Sequence, residues 1–217
     1  MEYEVYYIRH GQTLLNLSHR MQGWSDSPLT EKGIQDAVEA GQLLKKENLE
    51  FSKVYCSDTS RAYNTCKKIT ELCNIPQNSI KPSSLFREQC YGYFEGHNID
   101  ETWRIIGLPY GQTKFLDLVS EYGIDNVRNM TKSADPTKLA ENAEDFWTRI
   151  NKSFNLISSS VKNKEKVLVV CHGTLIFSLV KKYGNGIDKN IEPKNGSVTK
   201  LVFKDSKPTV EFYNKTF

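Results

Sequence analysis

The sequence predicts an α/β fold, a three-layer α/β/α sandwich built around a mainly parallel central sheet. Two observations favour it: strand-like apolar runs alternate with segments of helical periodicity, and residues 167–170 are apolar throughout. Strands that alternate with helices form parallel sheets covered on both faces. The 217 residues, of which 38% are hydrophobic and 25% charged, suit one soluble globular domain over residues 1–217.

The first part of the chain contains two predicted strand–helix pairs. Residues 3–8 form the first strand, and Thr30 is a suitable N-cap for a helix that extends to about residue 46. Residues 51–56 form the second strand, and small and apolar side chains at helical spacing predict a helix over residues 60–73. This order is the start of a parallel sheet.

The middle of the chain is less regular. We interpret residues 98–139 as a helical, cap-like insertion over the sheet, with short helices at 101–106 and 113–122. The elements predicted after it are a helix over residues 146–161, a buried strand at 167–170, a helix at 174–182 and an edge hairpin of strands 197–203 and 209–213.

Composition and charge narrow the possible functions. The five cysteines are odd in number and lack C-x-x-C spacing, which disfavours a disulfide framework and a zinc site. A dispersed formal charge of +3 does not indicate nucleic-acid binding and is compatible with an anionic substrate. No apolar stretch has membrane-spanning length and the acidic start is unlike a signal peptide, so we expect a cytoplasmic protein that binds no membrane. The sequence makes no prediction of oligomeric state.

Two histidines follow the two most strand-like runs. His10 lies in Arg9-His10-Gly11-Gln12 after the first strand, and His172 lies in Cys171-His172-Gly173 after the buried strand. Ligands of open α/β sheets bind beyond the carboxyl ends of the strands, so we expect both histidines in one pocket. The glycine after each histidine lets the backbone turn sharply and approach a ligand. Because a neutral imidazole beside an arginine can attack a phosphoryl group, the pattern indicates phosphorus chemistry.

Phosphoryl transfer also needs cations for the phosphoryl oxygens and a proton for the leaving group. Arg9 and Arg61 offer planar guanidinium groups suited to phosphate oxygens, and a protonated His172 would add a third positive group. Glu88 is the best-placed carboxylate to protonate a leaving alkoxide, for which burial or a nearby phosphate must raise its pKa. We expect one ring nitrogen of His10 to attack while the other donates to a backbone carbonyl.

Five segments, taken in order along the chain, form a recognisable set of motifs. They are residues 8–13 followed by Asn16, residues 21–33, 57–65, 85–96 and 170–173. The set resembles the motifs of the histidine phosphatase superfamily, in the branch that contains the cofactor-dependent phosphoglycerate mutases and their phosphatase relatives. The resemblance spans the chain apart from the insertion and the C-terminal tail.

The resemblance implies a two-step reaction through a phosphohistidine, without a metal or another cofactor. The implied site residues are His10, Glu88, Arg9, Arg61 and His172 as catalytic groups and Asn16, Gln22 and Gly23 as substrate-binding groups. His10 would carry the phosphoryl group, whose oxygens Arg9, Arg61 and His172 would bind. Glu88 would protonate the leaving group and then deprotonate the attacking water.

The resemblance is compatible with two reactions, hydrolysis and phosphoglycerate mutation. A mutase must keep its phosphohistidine from water and hold a carboxylate and a second phosphate, which requires further cations. In family mutases, a lysine and an adjacent arginine pair follow the Glu-Gly pair, whereas no arginine pair follows Glu95-Gly96 in this insertion. Its scattered cations include Arg104, Lys114, Arg128 and Lys132. This departure favours hydrolysis of a small phosphomonoester, with the mutase as the alternative.

Two hypotheses from other classes are weaker. A non-catalytic phosphate-binding module on the same fold would normally lack the nucleophile, an arginine or the acid, and all three are present. Redox regulation is conceivable because Cys56, Cys90 and Cys171 lie within the motif segments, but buried cysteines beside strands are usually inert.

Overall fold

The computed structural model describes residues 1–188 and 190–216, and it confirms the α/β class. The strands are β1 (Glu2–Arg9), β2 (Lys53–Cys56), β3 (Ile80–Pro82), β4 (Lys166–Cys171), β5 (Val198–Lys204) and β6 (Lys207–Lys215). The α-helices are α1 (Leu14–Leu17), α2 (Glu31–Lys46), α3 (Ser60–Leu72), α4 (Ile99–Gly107), α5 (Phe115–Tyr122), α6 (Ile124–Ala134), α7 (Ala143–Ser158) and α8 (Gly173–Tyr183).

The strands form one six-stranded sheet in the order β3-β2-β4-β1-β5-β6. The first four strands in this order are parallel, whereas β5 and β6 are antiparallel and form one edge. At the centre β1 lies beside β4, with Arg9 paired with Cys171. The carboxyl ends of these two strands therefore meet, and each is followed at once by a histidine.

Helices cover both faces of the sheet, as predicted. Helices α7 and α8 pack on one face, against a layer that includes Val5 and Val169. Helices α2 and α3 pack on the other face, against a layer that includes Ile8 and Leu168. Because successive side chains of a strand point to opposite faces, β1 and β4 each supply apolar residues to both layers. The centre of the sheet is thus fixed on both sides directly below the two histidines.

The insertion forms a third apolar cluster at the carboxyl end of the sheet. Helices α4, α5 and α6 bury Trp103, Leu118 and Val127 together, and they pack against Phe177 of α8 and Met21 of the loop after α1. The cluster therefore connects the insertion to the loop after β1 and to the helix after β4.

Several elements agree with the sequence expectations, whereas α1, α6 and β3 were not predicted. Thr30 caps α2, where its side chain accepts a hydrogen bond from Gly33 N at 3.0 Å. Helix α6 escaped prediction because its buried face includes Arg128 and Thr131, which hide the apolar periodicity. Strand β3 has only three residues and ends in Pro82, which is tolerated because β3 is an edge strand.

Candidate active site

The two histidines lie side by side beyond the carboxyl ends of β1 and β4. Their ring centroids are 5.2 Å apart, and both side chains are almost wholly buried. The glycines that follow them serve close approach: a Cβ on Gly11 would lie 2.0 Å from the carbonyl oxygen of Gly33, and one on Gly173 would lie 3.1 Å from Arg9 Nε. The sequence expectation of a shared pocket thus corresponds to two histidines in contact.

The hydrogen bonds of His10 define its tautomer. Its Nδ1 lies 2.8 Å from the carbonyl oxygen of Gly11, to which only a protonated nitrogen can donate. Its Nε2 accepts a hydrogen bond from Arg61 Nε at 3.2 Å. Burial, together with the positive charges of Arg61 and Arg9, holds the pKa of His10 well below its usual range. The ring is therefore neutral at pH 7, with a lone pair on Nε2.

His172 has the opposite arrangement. Its Nδ1 accepts from Arg61 Nη2 at 3.0 Å, so the proton of the neutral ring is on Nε2. That Nε2 is buried and has no hydrogen-bond partner among the described residues. Burial and the charge of Arg61 lower the pKa of His172 well below its usual range, so the ring is neutral at pH 7. Its protonation beside a phosphate stays a prediction. An unpaired buried donor is suited to bind an anionic oxygen.

Arg61 holds the two imidazoles in place. Its side chain is fully buried, and all five of its N–H groups have acceptors. Besides the two histidines, the acceptors are the carbonyl oxygens of Gly23 and Ser25 and the carboxylate of Asp26. Asp26 also accepts from the backbone N–H of Ser60, which ties it to the first turn of α3. Arg61 thus orients both rings from beneath.

The loop that bears Gly23 and Ser25 is organised by Glu95. The Glu95 carboxylate accepts hydrogen bonds from the backbone N–H groups of Gly23, Trp24 and Ser25 at 2.9–3.0 Å, and from the hydroxyl of Ser25 at 2.6 Å. It also accepts from the N–H of Tyr91 at 2.9 Å. The carbonyls of this loop are consequently aimed at Arg61. The sequence analysis named Glu95 only as part of a motif. Its contribution to the site is to bind backbone N–H groups, and these contacts leave no pattern in the sequence.

Glu88 lines the same cleft as Arg9 and His10. Its buried carboxylate accepts hydrogen bonds from Thr174 N at 2.7 Å and Leu175 N at 2.8 Å, at the N-terminus of α8, and from Gln89 N at 2.9 Å. Burial raises the pKa of Glu88 above its ordinary value, whereas the N–H donors and the nearby guanidinium groups oppose the rise. The net upward shift is in the direction that a proton donor requires.

A cleft of about 130 Å³ opens above His10. Its lining includes the predicted residues Arg9, His10, Asn16, Gln22 and Glu88, as well as Arg20, Met21, Tyr91, Ile99, Trp103, Phe115, Gly173, Thr174 and Glu192. Arg61 and His172 contact His10 but lie beneath the cleft surface, and the predicted substrate residue Gly23 lies behind Arg61.

The segment before β5 also contributes to the site, although no sequence motif predicts this. Arg9 donates from Nη1 to the carbonyl oxygen of Pro193 at 2.6 Å, while its buried Nε has no partner among the described residues. Asn195 donates to the carbonyl oxygen of His10 at 2.8 Å. Arg9 and His10 are therefore held by residues more than 180 positions away in the chain.

Other kinds of site receive no support from the part of the chain that is described. Within residues 1–188 and 190–216, no group of three or more histidine, cysteine or acidic side chains could hold a metal ion. None of the described helices combines the length and apolar character needed to cross a membrane. The five cysteines are free, and burial raises the pKa of the Cys90 and Cys171 thiols, which opposes thiolate reactivity.

The chain is similar to one family over nearly its whole length. A model of the histidine phosphatase superfamily (branch 1) matches residues 5–216. A 2,3-bisphosphoglycerate-dependent phosphoglycerate mutase from Porphyromonas gingivalis is 30% identical over 199 residues, which cover 85% of this chain and 79% of that protein. The crystal structure of phosphoglycerate mutase from Bacillus anthracis has 35% identity and a TM-score of 0.88, covering 99% of this chain and 93% of that one. YhfR from Bacillus stearothermophilus has 27% identity and a TM-score of 0.75, covering 98% and 97%.

Proposed function

The chain belongs to the histidine phosphatase superfamily, and from this premise we propose that it is a metal-independent phosphomonoesterase acting through a phosphohistidine on His10. The observation that carries the proposal is the neutral His10 ring, whose Nδ1–H donates to Gly11 while the Nε2 lone pair faces Arg61. An imidazole held in this tautomer can attack phosphorus without first losing a proton. The substrate is a small phosphorylated metabolite.

In the first step, His10 Nε2 forms a bond to phosphorus while the ester P–O bond breaks. The leaving alkoxide takes the proton of the Glu88 carboxyl, which the negative charge of the bound phosphate keeps protonated. In the second step, the Glu88 carboxylate removes a proton from water, the water oxygen attacks phosphorus and the P–N bond breaks. Inorganic phosphate leaves, and His10 and Glu88 return to their starting states.

Phosphoryl oxygens find hydrogen-bond donors that are available or can become so. Arg9 Nε and His172 Nε2 are buried donors without a partner among the described residues. When His10 Nε2 bonds to phosphorus, the Arg61 Nε–H that it accepted becomes free for a phosphoryl oxygen. These donors would stabilise the charge of the transferring group, which is the main requirement of phosphoryl transfer.

The lining of the cleft favours hydrolysis over mutation. Beyond the phosphoryl position, the described lining supplies one further cation, Arg20, whereas Glu192 adds a carboxylate. The apolar side chains of Ile99, Trp103 and Phe115 form another part of the wall. A bisphosphorylated ligand would need more positive charge than this, so a monoester of modest charge or with an apolar part fits better.

Phosphoglycerate mutase activity is the second candidate, because two of the similar proteins bear that name. None of the four scattered cations of the insertion lines the cleft: Arg104, Lys114, Arg128 and Lys132. Arg128 is instead buried against Gln89, and Lys132 pairs with Asp145. These contacts weigh against the mutase.

The test is release of inorganic phosphate from p-nitrophenyl phosphate and a panel of alkyl phosphomonoesters in excess chelator. We expect hydrolysis that chelator does not reduce and that His10→Ala, purified in parallel, lacks. Glu88→Gln should retain more activity on the aryl ester than on the alkyl esters, since only the latter need a proton for the leaving group. If the protein hydrolyses none of these esters but interconverts phosphoglycerates in the presence of bisphosphoglycerate, it is the mutase instead.

A further inference from the structure

Arg149 lies on α7, outside the cleft, yet its side chain reaches the backbone that bears Glu88. Its side chain is 11% exposed, and it forms a two-pronged ion pair with Glu141, with Nε–Oε1 and Nη2–Oε2 distances of 2.8 Å. The remaining N–H groups donate to the carbonyl oxygens of Leu85, Arg87 and Glu88, at 3.1, 2.8 and 3.1 Å. One guanidinium thus binds three backbone carbonyls of the four-residue segment 85–88.

The ion pair of Arg149 and Glu141 also contacts the backbone that follows Glu88 in the chain. Glu141 Oε2 accepts a hydrogen bond from Cys90 N at 3.0 Å, two residues beyond the acid. The Glu88 carbonyl oxygen accepts a second bond, from the Trp24 indole Nε1 at 2.9 Å. The backbone is consequently held before, at and after Glu88, independently of the α8 N–H groups that bind its carboxylate.

We propose that Arg149 is a positioning residue for the acid–base function of Glu88. The segment from Arg87 to Tyr91 belongs to neither a strand nor a regular helix, so no backbone ladder fixes it. Arg149 supplies the missing restraint and sets where the Glu88 carboxyl stands relative to His10. This inference rests on the proposed hydrolysis, because it concerns the group that protonates the leaving oxygen.

The role depends on the guanidinium shape and on more than its charge. Five N–H groups in a planar fork can bind one carboxylate and three carbonyls together, whereas a lysine ammonium has three donors on a single atom. Arg149→Lys therefore keeps the positive charge near Glu88 and loses most of the restraint. Arg104→Lys is the matched control, since Arg104 is an exposed arginine of α4 that does not line the cleft.

The experiment compares kcat/KM for p-nitrophenyl phosphate and an alkyl phosphate in the wild type, Arg149→Lys, Glu88→Gln and the double variant. General acids contribute about 10²- to 10⁴-fold, so we expect Arg149→Lys to lose about 10-fold or more on the alkyl ester and about threefold or less on the aryl ester. In the Glu88→Gln background it should have little further effect. Equal losses on both esters, or multiplicative losses in the double variant, would overturn the proposal.

Two additions keep the test decisive. Circular dichroism shows whether Arg149→Lys folds. If it does not, Glu141→Gln removes the other partner of the ion pair and should show the same leaving-group dependence to a smaller extent.

If the wild type itself hydrolyses nothing, the environment of the Glu88 carboxyl can still be measured by carboxyl-¹³C NMR, with its signal assigned by means of Glu88→Gln. A Glu88 titration changed by Arg149→Lys and not by Arg104→Lys would support positioning although the proposed reaction had failed. An unchanged titration would refute it.

Discussion

At the scale of single residues, the site depends on one arginine, Arg61, whose N–H donors all have acceptors within the protein. Arg61 donates to His10 and His172 at once, so it fixes which ring nitrogen of each is free. It can do so because its five donors are divided among acceptors on three parts of the chain. The sequence predicted Arg61 as a phosphate ligand, whereas its contacts in the structure are those of an organiser of the imidazoles.

Arg61→Lys should therefore be severe although it conserves charge. An ammonium has three donors, so at least two of the five acceptors would lose their partner, at a cost of about 1–3 kcal/mol for each acceptor that is buried. We expect kcat/KM to fall by about 100-fold or more, since the loss of one preorganised donor typically has an effect of that size. Phosphate release and urea unfolding measure the two effects, and kcat/KM within about threefold of wild type would contradict this role.

The pH dependence of activity follows from the shifted groups. Because the pKa of His10 lies well below its usual range of about 6.5, the nucleophile stays neutral in mildly acidic solution. Glu88 must start protonated, so activity should decline as pH rises through its raised pKa. We therefore expect kcat/KM to depend on pH as a bell-shaped curve with its maximum on the acid side. After correction for ionisation of the substrate, the limb at low pH should lie well below pH 6.5. An acid limb at pH 6.5 or above would argue against this account.

At the scale of elements, the loop of residues 23–25 joins separate parts of the site. Its N–H groups bind Glu95, its carbonyls bind Arg61 and the Trp24 indole binds the Glu88 carbonyl. Gly23 is required by proximity, since a Cβ there would lie 2.2 Å from the Gln89 carbonyl oxygen and 2.4 Å from Glu95 Oε1. The loop thus connects Arg61, which contacts both histidines, to the backbone of Glu88.

Gly23→Ala should push this loop away from Glu95. Overpacking of this kind costs about 1–3 kcal/mol, and displacement of the carbonyls from Arg61 should lower kcat/KM as well. Gly111→Ala is a useful comparison, because Gly111 has open space around it but a φ of +76°, so only stability should suffer. Thermal unfolding and phosphate release separate the two variants, and equal kcat/KM values for both would count against the coupling.

Local sequence patterns predicted helix starts and strands, but they could not predict contacts between side chains and distant backbone carbonyls. Thr30 is a capping residue at the start of an apolar stripe, and the histidines follow apolar strands, so both could be read from the sequence. Asn195 and Arg149 bind backbone carbonyls, which any residue can supply, so no pattern marks their partners. Arg128 in α6 is buried by contacts with the distant side chains of Gln89 and of Ser178 in α8, which sequence periodicity does not encode.

At the scale of the whole molecule, the two buried histidines tie stability to pH. Both have pKa values held well below the ordinary 6.5 by burial and by Arg61, so the unfolded chain binds protons more readily than the folded protein. The stabilisation is fully present above about pH 6.5 and is lost as pH falls below it. The raised pKa of Glu88 acts in the opposite direction, because the folded protein holds this proton more tightly than the unfolded chain does.

The free energy of unfolding should therefore fall as the solution is acidified from pH 7.5 to 5.5. Below pH 6.5 each histidine contributes a slope of at most about 1.4 kcal/mol per pH unit, and the pair about twice that. Urea denaturation across this range measures the slope, and His10→Ala should reduce it by about half. A flat profile in the wild type would mean that these imidazoles titrate alike in the folded and unfolded states.

The position of β1 at the centre of the sheet also has a consequence for biosynthesis. Its two neighbours, β4 and β5, begin only at Lys166 and Val198, so β1 leaves the ribosome well before either of the strands that it pairs with. At about 5–20 residues per second, that delay is on the order of 8–30 s. During this time the apolar side chains of β1 have no native cover and are open to capture by chaperones or by other nascent chains. His10, which follows β1, can therefore take its place in the site only after β4 and β5 have been synthesised.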